Sequence, residues 1–324
     1  MTMKIVTNNT HGILEVTTAP DPKAAEKEVL LQIHASAINR ADLMQCEGNY
    51  PPPPGWPEWP GLEASGIVLE APANCRFRPG DRVCALLGGG GYAEKIAVAP
   101  ELLLPIPPGV SMEEAAAIPE VFATAYLNFV LEANVQPGET VFIHAGASGL
   151  GLAAIQLAKL FGCKVLTTVG SEEKARVVRS FGADIAINTN EAGNALEDAL
   201  DACPPDIALD CVAGPKFGTH LAKMNPRGRW IIIAALGGPT STLSLDTLFR
   251  KNLRIIGSTL RSRSLEQKAA LLDAMEKRLW PHFGTGELRP NVYTILPMKD
   301  AARGHEILRN RANIGKVVLR WEET

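Results

Sequence analysis

A chain of 324 residues, 46% hydrophobic and 21% charged, has the make-up of a soluble globular protein with room for roughly two domains of about 150 residues. Its net charge of −3 gives no basic footprint for nucleic acid, and no run of about 18 apolar residues exists to span a membrane. The six cysteines are scattered without a C-x-x-C pair, and the start MTMKIVTNNTHG lacks a charged-then-apolar leader, which together predict reduced thiols in the cytoplasm.

The first 120 residues are short apolar runs punctuated by Pro and Gly. VLLQIHASAI (Val29–Ile38), ASGIVLEA (Ala64–Ala71) and DRVCALL (Asp81–Leu87) read as strands, separated by turns such as Arg78-Pro79-Gly80-Asp81 and the glycine run Gly88–Gly91. This predicts a compact β-rich domain over residues 1–120. Ser111-Met-Glu-Glu114 is a capping-box signal for a helix start, and a second helical segment spans about Pro119–Glu132.

Strands and helices then alternate through residues 121–260. The strands are TVFIHA (Thr140–Ala145), KVLTTV (Lys164–Val169), DIAIN (Asp184–Asn188), DIALDC (Asp206–Cys211), RWIIIAA (Arg229–Ala235) and LRIIGST (Leu253–Thr259). Apolar strands alternating with helices predict an α/β domain with a doubly wound parallel sheet, covered on both faces. From Ser264 a second capping box, Ser264-Leu-Glu-Gln267, opens a helix to about Trp280. A final strand–helix–strand ends in GKVVLRW (Gly315–Trp321), and residues 261–324 are expected to return to the first domain.

The stretch FIHAGASGLGLAAIQLAK (Phe142–Lys159) nearly carries the pattern G-x-G-x-x-G, with Gly146 and Gly151 outermost and Ser148 in place of the middle glycine. Its context is stronger than the motif. A strand precedes it, and a helix with Leu150, Ala153, Ala154 and Leu157 at helical spacing follows. Glycines let backbone amides approach a pyrophosphate, and the helix N-terminus adds partial positive charge. Gly149 and Gly151 allow that approach, and the Ser148 hydroxyl can itself donate to an anion. A tight βα turn without a ligand is the plainer reading.

An NAD site usually has Asp or Glu at the end of the second strand, to hold the ribose hydroxyls. Here that strand ends Val169-Gly170-Ser171, with Lys174 close behind, which suits a 2′-phosphate and favours NADPH. Glu172 and Glu173 weigh against this if either points inward, and a solvated helix-face lysine is the plainer role for Lys174. No Cys/His cluster with metal-ligand spacing exists. The histidines (His11, His34, His144, His220, His282, His305) are dispersed, so the expected hydride acceptor needs no Lewis acid.

Seven stretches together resemble a known family: INRADLMQCEGNYPPPP (Ile38–Pro54), PGLEASG (Pro60–Gly66), RPGDRVCALLGGGGYAE (Arg78–Glu94), AAAIPEVFATAY (Ala115–Tyr126), HAGASGLGLAAIQLAK (His144–Lys159), LRSRS (Leu260–Ser264) and NIGKVVL (Asn313–Leu319). The chain resembles the zinc-independent quinone oxidoreductase group of the medium-chain dehydrogenase/reductases, relatives of zeta-crystallin. The resemblance implies a GroES-like catalytic domain, a Rossmann domain, a cleft between them, NADPH-dependent reduction of quinones and a homodimer. In zinc-bearing members a cysteine sits near Asn39 and a histidine at Leu62, and their absence here agrees with a metal-free site.

By position, the resemblance places Asn39 and Thr124 near the nicotinamide, and Gly149 and Leu150 at the pyrophosphate, within the turn formed by Gly146, Ser148 and Gly151. Lys174, with Ser171, would hold the 2′-phosphate. Lys316 and Leu236 would also reach the cofactor. Several relatives carry a tyrosine after the third strand, where this chain has Thr189, which weakens the NADPH assignment. Tyr50 and Ser148 match the substrate-handling residues. A surface tyrosine on the loop before Pro51–Pro54 and a phosphate-turn serine are the plainer readings. Asp42 and Glu63 read as structural, a helix-surface acid and a buried acceptor.

Three functions compete on these residues. The first is an NADPH:quinone reductase. The second is a reductase of activated alkenes, with Tyr50 giving the proton. The third is a pyridine-nucleotide-binding protein with little turnover. The acceptor depends on how Tyr50, Trp56, Trp59 and Leu260 meet in three dimensions.

Overall fold

The computed structural model describes residues 1–9, 12–191 and 193–322, so His11 lies outside the described residues. In chain order the strands are β1 (Thr2–Asn8), β2 (Leu14–Pro20), β3 (Val29–Ala37), β4 (Glu63–Glu70), β5 (Arg82–Leu86), β6 (Lys95–Val98), β7 (Leu103–Pro105), β8 (Thr140–Ile143), β9 (Lys164–Val169), β10 (Ile185–Asn188), β11 (Ile207–Asp210), β12 (Arg229–Ile232), β13 (Arg254–Gly257), β14 (Val292–Pro297) and β15 (Lys316–Arg320). The α-helices are α1 (Arg40–Cys46), α2 (Met112–Ala115), α3 (Pro119–Tyr126), α4 (Gly149–Leu160), α5 (Glu172–Ser180), α6 (Ala195–Ala202), α7 (Phe217–Leu221), α8 (Leu245–Arg250), α9 (Leu265–Gly284) and α10 (Ala301–Arg309). The chain divides into two compact units, Met1–Ala123 with Arg261–Thr324, and Thr124–Leu260.

The first unit is built on a seven-stranded sheet, β14-β15-β3-β4-β5-β7, with β6 also paired to β3. β3 is nearly continuous apolar sequence because it is central and buried on both faces. β15, from the end of the chain, pairs antiparallel with β3 through Val318 and Ala37. β1 and β2 form a separate hairpin. Both capping boxes form: Glu114 N–H donates to Ser111 Oγ at the start of α2, and Gln267 N–H donates to Ser264 Oγ at the start of α9. The core under α10 joins Val6, Ile38, Leu43, Tyr92, Val317 and Leu319.

The second unit is a six-stranded parallel sheet in the order β10-β9-β8-β11-β12-β13. Counted within the unit, this is the doubly wound order 3-2-1-4-5-6. All six strands read from the sequence are present, but several stop early: the apolar run at Arg229–Ala235 leaves the sheet after Ile232. The surplus residues turn into loops at the carboxyl ends of the strands, where ligands of this fold class bind.

The helical segment after Pro119 also departs from one regular helix. α3 ends at Tyr126, and Leu127–Glu132 continues as a π-helix, with Ala133 N–H donating to Asn128 O at 2.9 Å. Asn128 is buried, and its side-chain amide donates to Thr124 O at 2.7 Å.

Candidate active site

The second unit shapes its glycine turn for close contact. After β8, Ala145 has φ +56°, a left-handed conformation that residues bearing a Cβ seldom adopt. Ala145 N–H donates to Thr168 Oγ1 (3.1 Å) and Gly146 N–H to Thr168 O (2.9 Å), which tie the turn to β9. A Cβ on Gly146 would lie 2.1 Å from Thr167 Oγ1, and one on Gly151 2.5 Å from Ala145 O. Both outer glycines are therefore needed for packing.

Ser148 is the N-cap of α4, and its Oγ accepts the Gly151 N–H at 3.0 Å. A helix start leaves its first N–H groups without helical partners. Here the serine takes one, while those of Gly149 and Leu150 have no partner among the described residues. Two unpartnered donors on a positive helix end suit an anion such as a pyrophosphate. The serine standing in the glycine pattern is thus first a cap, and its own hydroxyl hydrogen remains available to donate. Beneath the turn, burial holds the His144 imidazole down at about 4 against the pull of Asp210, so it is neutral at pH 7.

At the end of β9, Ser171 caps α5 by accepting the Lys174 N–H at 3.2 Å. Glu172 is turned along its own helix, pairing with Arg179 at 3.0 Å in an exposed position. Glu173 is exposed. Thr189 directs its hydroxyl to Val169 O (3.2 Å). Leu236 is exposed beyond β12, its N–H donating to Cys211 O.

The first unit gathers a buried charged cluster from four chain segments. Asn39, the N-cap of α1, donates from Nδ2 to Glu63 Oε1 (2.9 Å) and Ala37 O (3.2 Å). Lys316 Nζ donates to Ile38 O (3.0 Å), Asn39 Oδ1 (2.7 Å) and Glu63 Oε1 (2.7 Å). An ammonium has three protons, so in this arrangement Lys316 is fully occupied and serves to hold Asn39 and Glu63 in place. Asp42 is no helix-surface acid, contrary to the sequence reading. It is completely buried, accepting from Asn39 N–H (2.7 Å) and Gly61 N–H (2.8 Å), because the first turn of α1 packs against the loop before β4. Burial pushes its carboxyl up to about 6, against those two N–H donors.

Tyr50 is half-buried. The Arg261 guanidinium lies 4.9 Å from its ring centroid, and Arg261 Nη1 donates to Tyr50 O at 3.0 Å. Arg261 also donates twice to Gly88 O and once to Gln45. A Cβ on Gly88 would sit 2.6 Å from the Trp56 indole nitrogen, so the glycine run makes room for that ring. Tyr50 is thus clamped by Arg261.

Two residues of this cluster have no role in the sequence reading. Arg261 and Glu120 both lie in family-like stretches, LRSRS and AAAIPEVFATAY, but their partners are far away in the sequence. Glu120 N–H donates to Glu63 Oε2 at 2.9 Å. Burial, and then the Glu63 charge, push the Glu120 carboxyl up to about 8. Among the described residues no three His, Cys, Asp or Glu side chains form a metal-binding group, and the Leu62 side chain is buried.

Family models match two parts of the chain: an alcohol dehydrogenase GroES-like domain at residues 25–108 and a zinc-binding dehydrogenase domain at residues 149–277. The chain is 31% identical to the quinone oxidoreductase of Sus scrofa over 305 residues, covering 93% of this chain and 90% of that protein. A solved quinone oxidoreductase from Thermus thermophilus, described also in complex with NADPH, is 34% identical with a TM-score of 0.83, covering 98% of this chain and 99% of that one. A structure described as an NAD-dependent alcohol dehydrogenase is 31% identical with a TM-score of 0.86, covering 99% and 100%.

Proposed function

Because the chain belongs to the zinc-independent quinone oxidoreductase group of the medium-chain dehydrogenase/reductases, we propose that it is an NADPH-dependent reductase of quinones, a cytoplasmic enzyme active as a homodimer. The observation that carries the cofactor reading is the end of β9. Val169-Gly170-Ser171 presents no carboxylate, Glu172 is held by Arg179, and Lys174 stands in the first turn of α5. The unpaired N–H groups of Gly149 and Leu150 would take the pyrophosphate, within the turn of Gly146, Ser148 and Gly151. Asn39, Thr124 and Leu236 would line the cofactor, and Lys316 would act on it through Asn39.

Bound NADPH supplies a hydride. The chain's own residues bind and orient the acceptor and meet the charge that develops on its oxygen. Tyr50, clamped by Arg261, and the free hydroxyl hydrogen of Ser148 are the donors proposed for that oxygen. A quinone suits this site, since its reduced oxygen is a stabilised, phenolate-like anion that needs modest help.

The test is consumption of NADPH and of NADH, in parallel, with a panel of quinones, enones and enals after exhaustive chelation. Quinone reduction faster with NADPH and unaffected by chelation is expected. Preference for enones would assign the site to activated alkenes, and no turnover with any acceptor would reduce the protein to a nucleotide binder.

A further inference from the structure

We propose that Glu120 is a catalytic residue of this site: its carboxyl holds the proton that the reduced acceptor takes up. The proposal rests on the oxidoreductase reading above and adds the source of the proton.

Three carboxyl groups, Asp42, Glu63 and Glu120, crowd around one buried ammonium, Lys316. Two of them have both oxygens occupied. Asp42 accepts from the N–H groups of Asn39 and Gly61. Glu63 accepts from Asn39 Nδ2 and Lys316 Nζ on one oxygen and from Glu120 N–H on the other. The Glu120 carboxyl takes no hydrogen bond or ion pair among the described residues. Nor are its oxygens among the buried, unpartnered atoms sealed from solvent. An unpartnered carboxyl that is half-buried but reaches open space can meet a ligand.

The surrounding charges explain why it keeps a proton. From β4 it faces Glu63, from α1 Asp42, from β15 Lys316 and from α9 Lys268. Lys316 is committed to Glu63, and Lys268 Nζ donates to Arg261 O at 2.9 Å. Arg261 spends its guanidinium on Gly88 O, Tyr50 O and Gln45. Lys316 and Lys268 both pull it down, but neither forms an ion pair with it among the described residues, so burial and the Glu63 charge dominate and the group titrates at about 8. Tyr50 feels the Glu120 charge, which places the two side chains in one electrostatic neighbourhood.

The chemistry balances. Hydride delivery leaves the acceptor with one negative charge on a phenol-like or enolate-like oxygen. The Glu120 O–H bond breaks as the acceptor's new O–H bond forms, and water restores the carboxyl through its open face. A donor titrating near the working pH gives its proton readily to an anion whose conjugate acid titrates at about 10. The Tyr50 phenol, pushed up by burial, is a weaker acid than an ordinary tyrosine and suits the role of hydrogen-bond donor.

The test pairs two readouts on wild type, Glu120→Gln and Glu120→Asp, with thermal unfolding to confirm that each is folded. Difference infrared spectroscopy of the protein without cofactor should show a protonated-carboxyl band that disappears near pH 8 and is missing in Glu120→Gln. Steady-state kinetics with NADPH and a quinone should show wild-type kcat falling above that pH. Glu120→Gln should lose roughly 10²-fold in kcat and that pH dependence, with KM for NADPH unchanged. Glu120→Asp should recover part of the rate. A band that persists in Glu120→Gln, or a variant with wild-type kcat and pH profile, overturns the proposal. A band that titrates as expected in a protein that reduces no acceptor overturns the oxidoreductase reading, and with it any acceptor for the proton.

Discussion

Lys316 and Glu63 form an ion pair at 2.7 Å with their side chains 5% and 0% exposed, joining the last strand of the first unit to its fourth. Removing one partner of a buried pair strands the other charge, typically at about 3–5 kcal/mol. Lys316→Met should destabilise the first unit by about that amount. Adding Glu63→Gln should restore most of it, because the orphaned charge is gone. Denaturant unfolding of the two variants is the measurement. A single variant costing no more than a surface substitution would show that the pair is not closed to water.

The cofactor preference is tested at Lys174. A hydrogen bond to a charged group contributes about 1.5–3 kcal/mol, or roughly 10- to 100-fold in affinity. Lys174→Ala should weaken NADPH by that factor and leave NADH nearly unchanged, as read by fluorescence titration. Equal losses for both cofactors would mean that Lys174 does not read the 2′-phosphate.

Ser148 separates capping from chemistry. Its Oγ accepts the Gly151 N–H, and losing an N-cap costs about 1 kcal/mol for Ala but only a few tenths for Gly. Ser148→Ala should therefore lower stability more than Ser148→Gly does. Ser148→Val should lower NADPH affinity further, by crowding the turn. Tyr50→Phe should lower quinone turnover about tenfold, less than the loss of a full oxyanion-hole donor. If Tyr50→Phe and Ser148→Val both match wild type in turnover and NADPH affinity, neither residue lines the site.

Acid should loosen the first unit through His305. Its ring is buried against the Tyr92 hydroxyl (3.0 Å), and burial, then the Arg309 charge, hold it down at about 3. An unfolded histidine titrates near 6.5, so below that pH the unfolded chain binds the extra proton and stability falls. From pH 7 to pH 5 this one group should cost about 2 kcal/mol, at 1.36 kcal/mol per pH unit below 6.5. His305→Gln should flatten the pH dependence of unfolding by that amount. An unchanged slope would place the acid sensitivity elsewhere.

β13 is the edge strand of its sheet, with Ile255 exposed, and β12 pairs only its inner side. An apolar edge is usually paired or covered. A twofold contact pairing β13 with its own copy should give a dimer at micromolar concentration by light scattering, and Ile255→Lys should shift it toward monomer. A wild-type protein that is monomeric throughout would count against this pairing.

Local signals account for what the sequence disclosed. Ser111 and Ser264 mark their helices through partners three residues away, and the six strands of the second unit stand out as apolar runs between helices. The glycine turn is legible for the same reason: its strand, cap and helix are contiguous. The charged cluster is not. Glu120 meets Glu63 across 57 positions and Asn39 meets Lys316 across 277, so no local pattern says that Asp42 is buried or that Glu120 stands beside a second carboxylate. An Asn-x-x-Asp at a helix start looks the same whether its acid faces water or a neighbouring loop. Only the pairing of β15 with β3 fixes which cation joins the cluster.

That pairing also sets an order of events on the ribosome. The second unit is one uninterrupted stretch, Thr124–Leu260, and can close as soon as it emerges. The first unit must wait for β15, which fills the place between β14 and β3. At roughly 5–20 residues per second, the roughly two hundred residues between Glu120 and Lys316 take on the order of ten to forty seconds to add. Throughout that interval Glu63 has no counter-ion and the central strand β3 lacks a neighbour. The nascent chain therefore passes through a stage in which the nucleotide-binding half is folded while the half carrying Tyr50 and Glu120 is incomplete, and that stage is when a chaperone has most to hold.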